Sequence, residues 1–219
     1  MQTLKTIYNQ AFAALNLPPC ANLFTQLITA YQEPHRHYHT LHHLQQLFTA
    51  LQNIDPSNSL NVGVASQNGN RPSIILAIFF HDAIYDTRSH ENEAQSAKWA
   101  SESLTKLNLP NTTIDRITHL IHLTETHVPA PTDLNAQLFL DLDLSILATP
   151  PIQYQTYAQA IRQEYHWVPE ADYRKGRSQI LQTFLNRDRI YHHPQMQHHE
   201  SQARTNLNQE IETRKQNPI

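Results

Sequence analysis

The sequence of 219 residues has one cysteine, three glycines and a small net charge of −3. A single cysteine, Cys20, excludes an internal disulfide framework and a zinc cluster built on cysteines. The small net charge gives no indication of a broad nucleic-acid surface or a membrane footprint. No run approaches the roughly 18 apolar residues of a membrane span, and no cationic apolar leader opens the chain. We therefore expect a soluble, cytoplasmic protein.

The residues that are abundant, among them Gln, Leu and Ala, favour helices joined by Pro and Asn boundaries. At this length we expect one domain, residues 1–219, with an all-α fold of roughly nine or ten helices. The tract 55–72 is expected to be a long loop. Apolar spacing and end signals predict helices at 4–15, 23–31, 39–51, 73–80, 91–107, 112–127, 133–147, 152–167, 170–189 and 199–215.

An apolar run from Ser73 to Phe80 is followed directly by His81 and Asp82. Periodicity alone does not separate a buried strand from a buried helix. We favour a central buried helix because the surrounding segments are helical and no second strand candidate is present. A histidine and an aspartate at the end of a buried segment are costly to desolvate alone, and a cation that takes up their lone pairs makes them favourable. The pair therefore indicates a metal site.

A second pair of histidines, His39 and His43, lies in the segment Tyr38-His-Thr-Leu-His-His43. On a helix, positions four apart share a face, so these two side chains project the same way and His42 points elsewhere. Two imidazoles on one face suit a site in which one binds metal and the other handles protons.

The segment 133–147 is apolar almost all round, which predicts burial on every side. It also contains Asp141 and Asp143. An unpaired buried carboxylate is unstable, so each must meet a cation or be satisfied by an arginine or by helix amides. Helical periodicity does not choose between the two, because residues two apart face roughly opposite ways.

His127 lies at the edge of the apolar stripe of segment 112–127, whereas His119 and His122 fall on the opposite, solvated face. His127 is therefore a candidate for holding a second metal ion or a phosphate oxygen. The alternative is a core histidine bonded to a carbonyl. The histidines of the polar tract 192–199 are expected on the solvated surface.

Glu93 opens the helix predicted at 91–107, where it is either a general acid or base or a complement to the helix dipole. Among the basic residues, Arg36 is singled out for phosphate binding because it lies three residues before His39, and Arg204 is a second candidate. Most of the others are expected in surface ion pairs. The basic residues considered for phosphate are Arg36, Arg162, Lys175, Arg177 and Arg204.

The order His43, His81-Asp82 and then Asp-x-Asp resembles the HD-domain superfamily of metal-dependent phosphohydrolases, whose fold is an all-α bundle. Most of the chain is similar to a small bacterial family of predicted HD-type phosphohydrolases. The matching stretches are Arg36-His-Tyr-His39, His81-Asp-Ala-Ile-Tyr-Asp86, Asn92-Glu93, Leu140-Asp-Leu-Asp-Leu-Ser-Ile-Leu147, Ile161-Arg-Gln-Glu-Tyr165 and Ala203-Arg-Thr-Asn206.

This resemblance implies that the metal ligands are His43, His81, Asp82 and Asp143. Asp143 is preferred because the ligand aspartate is typically the second in such an Asp-x-Asp stretch. The segment Tyr38–His43 is also similar to the Tyr-His-Asn-x-x-His of cyclic-nucleotide phosphodiesterases, which implies that His39 protonates the leaving oxygen. The likeness to guanosine tetraphosphate hydrolases is partial, since Tyr85 stands where their catalytic glutamate would be.

The implied activity is hydrolysis of a phosphomonoester or phosphodiester, expected to be a nucleotide, by metal-activated water. One or two divalent ions, chosen from Mn, Fe, Zn, Co or Mg, would suit two imidazoles and two carboxylates. With two ions, Asp82 would bridge them and His127 would help to hold the second. The alternative is a non-catalytic metal- or nucleotide-binding sensor with the same fold. A purely structural helical scaffold, with Asp82 and Asp143 in buried ion pairs, is a third reading.

Overall fold

The structure of the protein is a computed structural model that describes residues 3–54 and 71–216. These ranges contain ten α-helices and no strand, so the all-α fold is confirmed. The helices are α1 (Leu4–Ala14), α2 (Ala21–Ala30), α3 (Leu41–Ile54), α4 (Arg71–Phe80), α5 (Asn92–Lys106), α6 (Asn111–Leu123), α7 (Leu134–Asp143), α8 (Pro151–Glu164), α9 (Glu170–Leu185) and α10 (Glu200–Gln216).

Several helix boundaries differ from the prediction. Helix α3 begins at Leu41, so His39 belongs to the preceding turn and not to the helix. Helix α6 ends at Leu123, four residues earlier than expected, and His127 takes a left-handed backbone with φ 51°. The segment predicted as one helix from 133 to 147 is α7 followed by a 3₁₀ helix over 144–148. The expected loop at 55–72 lies outside the described residues, except that its last two residues already belong to α4.

Helix α4 is the buried centre of its part of the fold, as the apolar run predicts. Every residue from Pro72 to Phe80 is buried. The ring of Phe79 lies 5.6 Å from Tyr8, 6.3 Å from Phe24 and 5.0 Å from Phe48, measured between centroids. Burying one such side chain contributes about 1.5–3 kcal/mol. The helix therefore presents its C-terminal end, where His81 and Asp82 follow, from a fixed position.

The described chain divides into two compact units at Leu140–Asp141, a boundary that lies within α7. The first unit holds α1 to α6 and most of α7, and the second holds the 3₁₀ helix and α8 to α10. The single domain expected from the sequence stays a prediction. None of the described helices is both long enough and apolar enough to cross a bilayer.

The start of α7 is anchored by Asp133, which has two sets of partners. Its carboxylate accepts two hydrogen bonds from the Arg116 guanidinium of α6, at 2.5 and 2.6 Å. The same carboxylate accepts the backbone N–H of Ala136 at 3.0 Å and so caps the helix. The hydrogen bonds from Arg116 are the main reason that the pKa of Asp133 is lowered. Asp133 thereby fixes α7 against α6.

We predict that Asp133→Asn lowers the free energy of unfolding by about 1–2 kcal/mol at pH 7, because it removes an ion pair and weakens a cap. A carboxyl whose folded-state pKa is lowered stabilises the fold above its unfolded-state pKa, and the effect disappears as the pH falls through the folded-state value. The difference from wild type should therefore shrink below about pH 4. Urea denaturation at several pH values measures it. The exposed Asp115 of α6 provides the control Asp115→Asn, and a difference that does not change with pH would contradict the assignment.

Candidate metal centre

His81 lies in the turn after α4, and one of its ring nitrogens is hydrogen-bonded to the backbone. The backbone N–H of His81 continues the helical pattern by donating to Ala77 O at 2.9 Å. Its ring Nδ1 lies 2.9 Å from the carbonyl oxygen of Ile78. A carbonyl only accepts, so Nδ1 carries the proton in the neutral ring. The lone pair of His81 is therefore on Nε2.

Two further atoms that can bind a metal ion lie close to this Nε2. The Nε2 of His43, which comes from α3, lies 3.2 Å from it. Asp82 Oδ2 lies 3.0 Å from His81 Nε2 and 3.6 Å from His43 Nε2. Both histidines are 1% exposed. A lone pair facing a carboxylate oxygen at this distance is repulsive unless a proton or a metal ion lies between them.

Helix α7 brings a further carboxylate to these atoms. The ring of Phe139 packs edge-on against the ring of His81, with 6.1 Å between centroids. Asp143 is one turn further along the same face of α7, four residues on. One ligand atom each of His43, His81 and Asp143 lie within 4.8 Å of one another.

This donor set fits a divalent cation. Metal–ligand bonds of about 2.0–2.2 Å place neighbouring ligand atoms roughly 3 Å apart, which is the spacing seen among His43, His81 and Asp82. Two imidazole nitrogens with carboxylate oxygens form a mixed set that suits several first-row metals. The group His43, His81 and Asp143 could thus hold a metal ion, with Asp82 beside it.

Arg36 holds the two turns of the site together. Its side chain is fully buried, with 0% exposure. It donates to the backbone carbonyls of His39 at 3.3 Å, Asp82 at 2.6 Å and Ala83 at 3.1 Å. Its Nε and Nη2 also lie 2.9 Å from the carboxylate of Glu33. These contacts use all five N–H groups of a guanidinium, so the structure gives Arg36 a positioning role in place of the phosphate contact expected from the sequence.

Neighbouring side chains fix the rest of the turn. The hydroxyl of Tyr31 accepts the backbone N–H of Asp82 at 3.3 Å. The hydroxyl of Ser96, on α5, accepts the N–H of Ile84 at 3.0 Å. Further along, the side chain of Asn92 pairs with the backbone of residue 86 through both its oxygen and its amide group. The segment after α4 is therefore held at almost every residue.

His39 lies in the turn before α3 and is surrounded by aromatic rings. Its ring centroid is 4.2 Å from that of Tyr85, 4.9 Å from Tyr38 and 5.9 Å from His43. The expectation that His39 and His43 lie together is met, but the helical reason given for it is wrong. The turn, which Arg36 holds through the His39 carbonyl, brings the two rings together.

The structure gives different surroundings to Asp141 and Asp143, the two candidate ligands between which periodicity did not choose. Asp141 is fully buried and accepts the backbone N–H of His192 at 3.1 Å and of His193 at 2.6 Å. It therefore holds the 190–193 segment within the second unit. Asp143, in contrast, belongs to the candidate metal group.

The other predicted site residues lie outside this cluster. Glu93 is in the first turn of α5, a position that complements the helix dipole. His127 lies in the turn after α6 and is not part of the metal group found among the described residues. Arg204, in the second unit, donates to Glu200 and to the backbone carbonyls of Leu185, Arg187 and Asp188, and so it caps the end of α9. The roles given to these residues stay predictions.

Sequence reasoning missed the side chains that hold the site in place. Tyr31 and Ser96 are common residue types at positions without a motif, and each acts through a contact with a segment distant in sequence. Tyr85 was noted only as the replacement of a glutamate, although its ring packs beside His39. Comparisons of the chain with protein-family models, curated proteins and solved structures gave no match. The resemblance to HD-type phosphohydrolases therefore stays an expectation.

We predict that Arg36→Lys destabilises the metal-free protein by about 2–3 kcal/mol, since a lysine leaves several buried carbonyls without donors. Divalent metal affinity should fall by about 10–100-fold because the His81–Asp82 turn is no longer held. Urea denaturation after chelation and metal titration measure the two effects. Arg189→Lys, at an exposed position, is the matched control. Unchanged metal affinity in Arg36→Lys would show that the His81–Asp82 turn keeps its position without Arg36.

Proposed function

We propose that this protein is a metal-dependent phosphohydrolase that acts on a phosphomonoester or phosphodiester, with a nucleotide as substrate. The observation that supports the proposal is the group formed by the buried His43 and His81 and the half-buried Asp143, with Asp82 in contact with both histidines. Such acceptors are costly to bury together without a cation. A mixed imidazole and carboxylate set is the ligand chemistry of hydrolytic metal sites.

A bound divalent ion would supply an activated water as nucleophile and would polarise a phosphoryl oxygen. His43 and His81 would hold the ion through Nε2, with the His81 ring oriented by its Nδ1–H bond to Ile78. Asp82 and Asp143 would supply carboxylate oxygens and balance the cation charge. Arg36 keeps the His39 and Asp82 backbones in place, and its predicted contact with a phosphate stays a prediction.

His39 would donate the proton that the leaving oxygen requires. Its ring is close to His43 but is not part of the ligand group, and it is partly accessible to solvent. A histidine has an unperturbed pKa of about 6.5, which allows it to transfer protons near neutral pH. The half-buried rings of Tyr38 and Tyr85 pack against it and offer surfaces for a nucleobase. This arrangement supports a nucleotide as substrate.

We predict that His81→Ala abolishes both metal retention and turnover, because it removes a ligand from the buried group. The metal content of the purified protein is measured by elemental analysis. Turnover is measured on a panel of nucleoside monophosphates, cyclic nucleotides and an aryl phosphodiester, with Mn, Mg, Co and Zn. Asp82→Asn should weaken metal binding to a smaller extent, since an amide oxygen remains.

The control is His122→Ala, which removes an exposed histidine from α6 and should leave both quantities unchanged. Turnover that survives His81→Ala would overturn the proposed activity. Wild-type protein that retains metal and binds nucleotides but turns over none of the panel would instead be the sensor considered from the sequence.

We predict that His39→Gln keeps the wild-type metal content but lowers turnover of a phosphodiester with an alkoxide leaving group by about 100-fold or more. An aryl phosphodiester should be affected less, because its leaving group needs no proton. The matched control is His42→Gln, an exposed neighbour on α3. An equal loss on both substrates would show that His39 does not protonate the leaving group.

A further inference from the structure

A groove of about 500 Å³ lies in the second unit, between α8, α9 and α10. Its volume falls in the range of small-molecule sites. The wall is rich in charged side chains from all three helices, namely Arg162, Glu170, Arg174, Glu210 and Arg214. Together with Arg177, which does not line the groove, these residues form two groups in which two arginines share one glutamate.

The first group is centred on Glu210 of α10. Arg177 donates to both carboxylate oxygens, at 3.0 and 3.2 Å, and Arg214 donates through Nε and Nη2 at 3.0 and 2.7 Å. Tyr154 donates to the same carboxylate. Burial acts to raise the pKa of Glu210, but the two arginines and Tyr154 outweigh it and lower the pKa. Glu210 is therefore ionised, and two guanidinium groups share its one negative charge.

The sequence reading that most of these arginines form surface ion pairs is wrong for Arg177. Its side chain is only 8% exposed, and that of Glu210 is 7% exposed. The Arg214 side chain is 15% exposed. Charges in such surroundings are screened by solvent much less than charges on the surface.

The second group is centred on Glu170, in the first turn of α9. Its carboxylate accepts from Arg162 Nε at 2.9 Å and from Arg174 Nε at 3.0 Å. Arg162 also donates to the backbone carbonyls of Tyr165 and Val168, so it fixes the connection between α8 and α9. Arg174 lies on α9 with its side chain 22% exposed. It is positioned to contact a molecule in the groove.

The two groups leave the groove positively charged. Three guanidinium groups and two carboxylates line the groove, which gives an excess of one positive charge among the lining side chains in a chain whose net charge is −3. We propose that this groove is a second ligand site, which binds the phosphate of a small phosphorylated molecule mainly through Arg174 and Arg214. This inference does not depend on the proposed hydrolase activity, because it rests on residues of the second unit alone.

The chemistry of the groove favours a phosphate ester over other anions. The excess positive charge attracts a phosphate group, and guanidinium groups bind phosphate oxygens through paired hydrogen bonds. The volume is larger than a lone phosphate requires and admits an attached sugar or nucleoside. The amide side chains of Gln155, Gln159 and Gln209 also line the groove and offer donors and acceptors for such a group.

Calorimetric titration of the full chain, treated with EDTA and kept at low ionic strength, tests the proposal with AMP, inorganic phosphate and adenosine as probes. Wild-type protein should bind AMP saturably and inorganic phosphate more weakly, and adenosine should show no saturable binding. Arg174→Gln should weaken AMP binding by about tenfold or more through the loss of a charge-assisted contact. Lys175→Gln removes the same charge at the exposed neighbouring position and should change the affinity by less than about twofold.

Glu170→Gln distinguishes a ligand site from a structural ion network. It removes a carboxylate that competes for the guanidinium groups, so it should strengthen AMP binding several-fold while it lowers thermal stability. If Arg174→Gln does not fold, Arg174→Lys keeps the charge without the paired donors and should bind AMP more weakly than wild type. The proposal is overturned if neither anion binds saturably up to about 10 mM, if Arg174→Gln binds AMP as wild type does, or if Glu170→Gln weakens binding.

Discussion

The constraint on which the candidate site depends is the close approach of two imidazole nitrogens and a carboxylate oxygen. His81 Nδ1–H donates a hydrogen bond to the carbonyl oxygen of Ile78. The lone pair on His81 Nε2 therefore faces His43 Nε2 at 3.2 Å and Asp82 Oδ2 at 3.0 Å. A lone pair and a carboxylate oxygen repel each other at this distance unless a proton or a metal ion lies between them. The surrounding structure therefore has to supply the force that keeps them together before a cation binds.

That force comes from two sources, the buried helix α4 and the buried side chain of Arg36. Helix α4 is enclosed along its whole length, so its C-terminal end has no freedom to shift. Arg36 then ties the His39 and Asp82 turns to each other through their carbonyls. The candidate ligands His81 and Asp143 both stand at the C-terminal ends of helices, where the helix dipole is negative and favours a cation. The helix ends thus favour a bound cation, and the Arg36 guanidinium holds the two turns of the site in position.

The helices and the candidate ligands could be predicted because each leaves a local signal. The run before His81 is apolar at every position, and the His-Asp pair at its end has few uses besides a cation. The start of α3 could not be predicted, and periodicity left Asp141 and Asp143 open, because both are settled by tertiary contacts; the preference for Asp143 came from the resemblance alone. Asp141 is satisfied by two amides some fifty residues away in sequence, which no local pattern reveals. Arg36 shows the same limit, since its four polar partners become visible only once the chain is folded.

The arginines of this protein show why residue type alone does not assign a phosphate contact. Arg36 and Arg204 were the candidates from the sequence, yet the donors of Arg36 and most of those of Arg204 end on carbonyls and one carboxylate each. Such an arginine organises backbone and has little capacity for a ligand. In the groove of the second unit, by contrast, guanidinium groups outnumber carboxylates and several line an accessible wall. The count of acceptors against donors around each guanidinium, more than its place in a motif, determines where an anion is attracted.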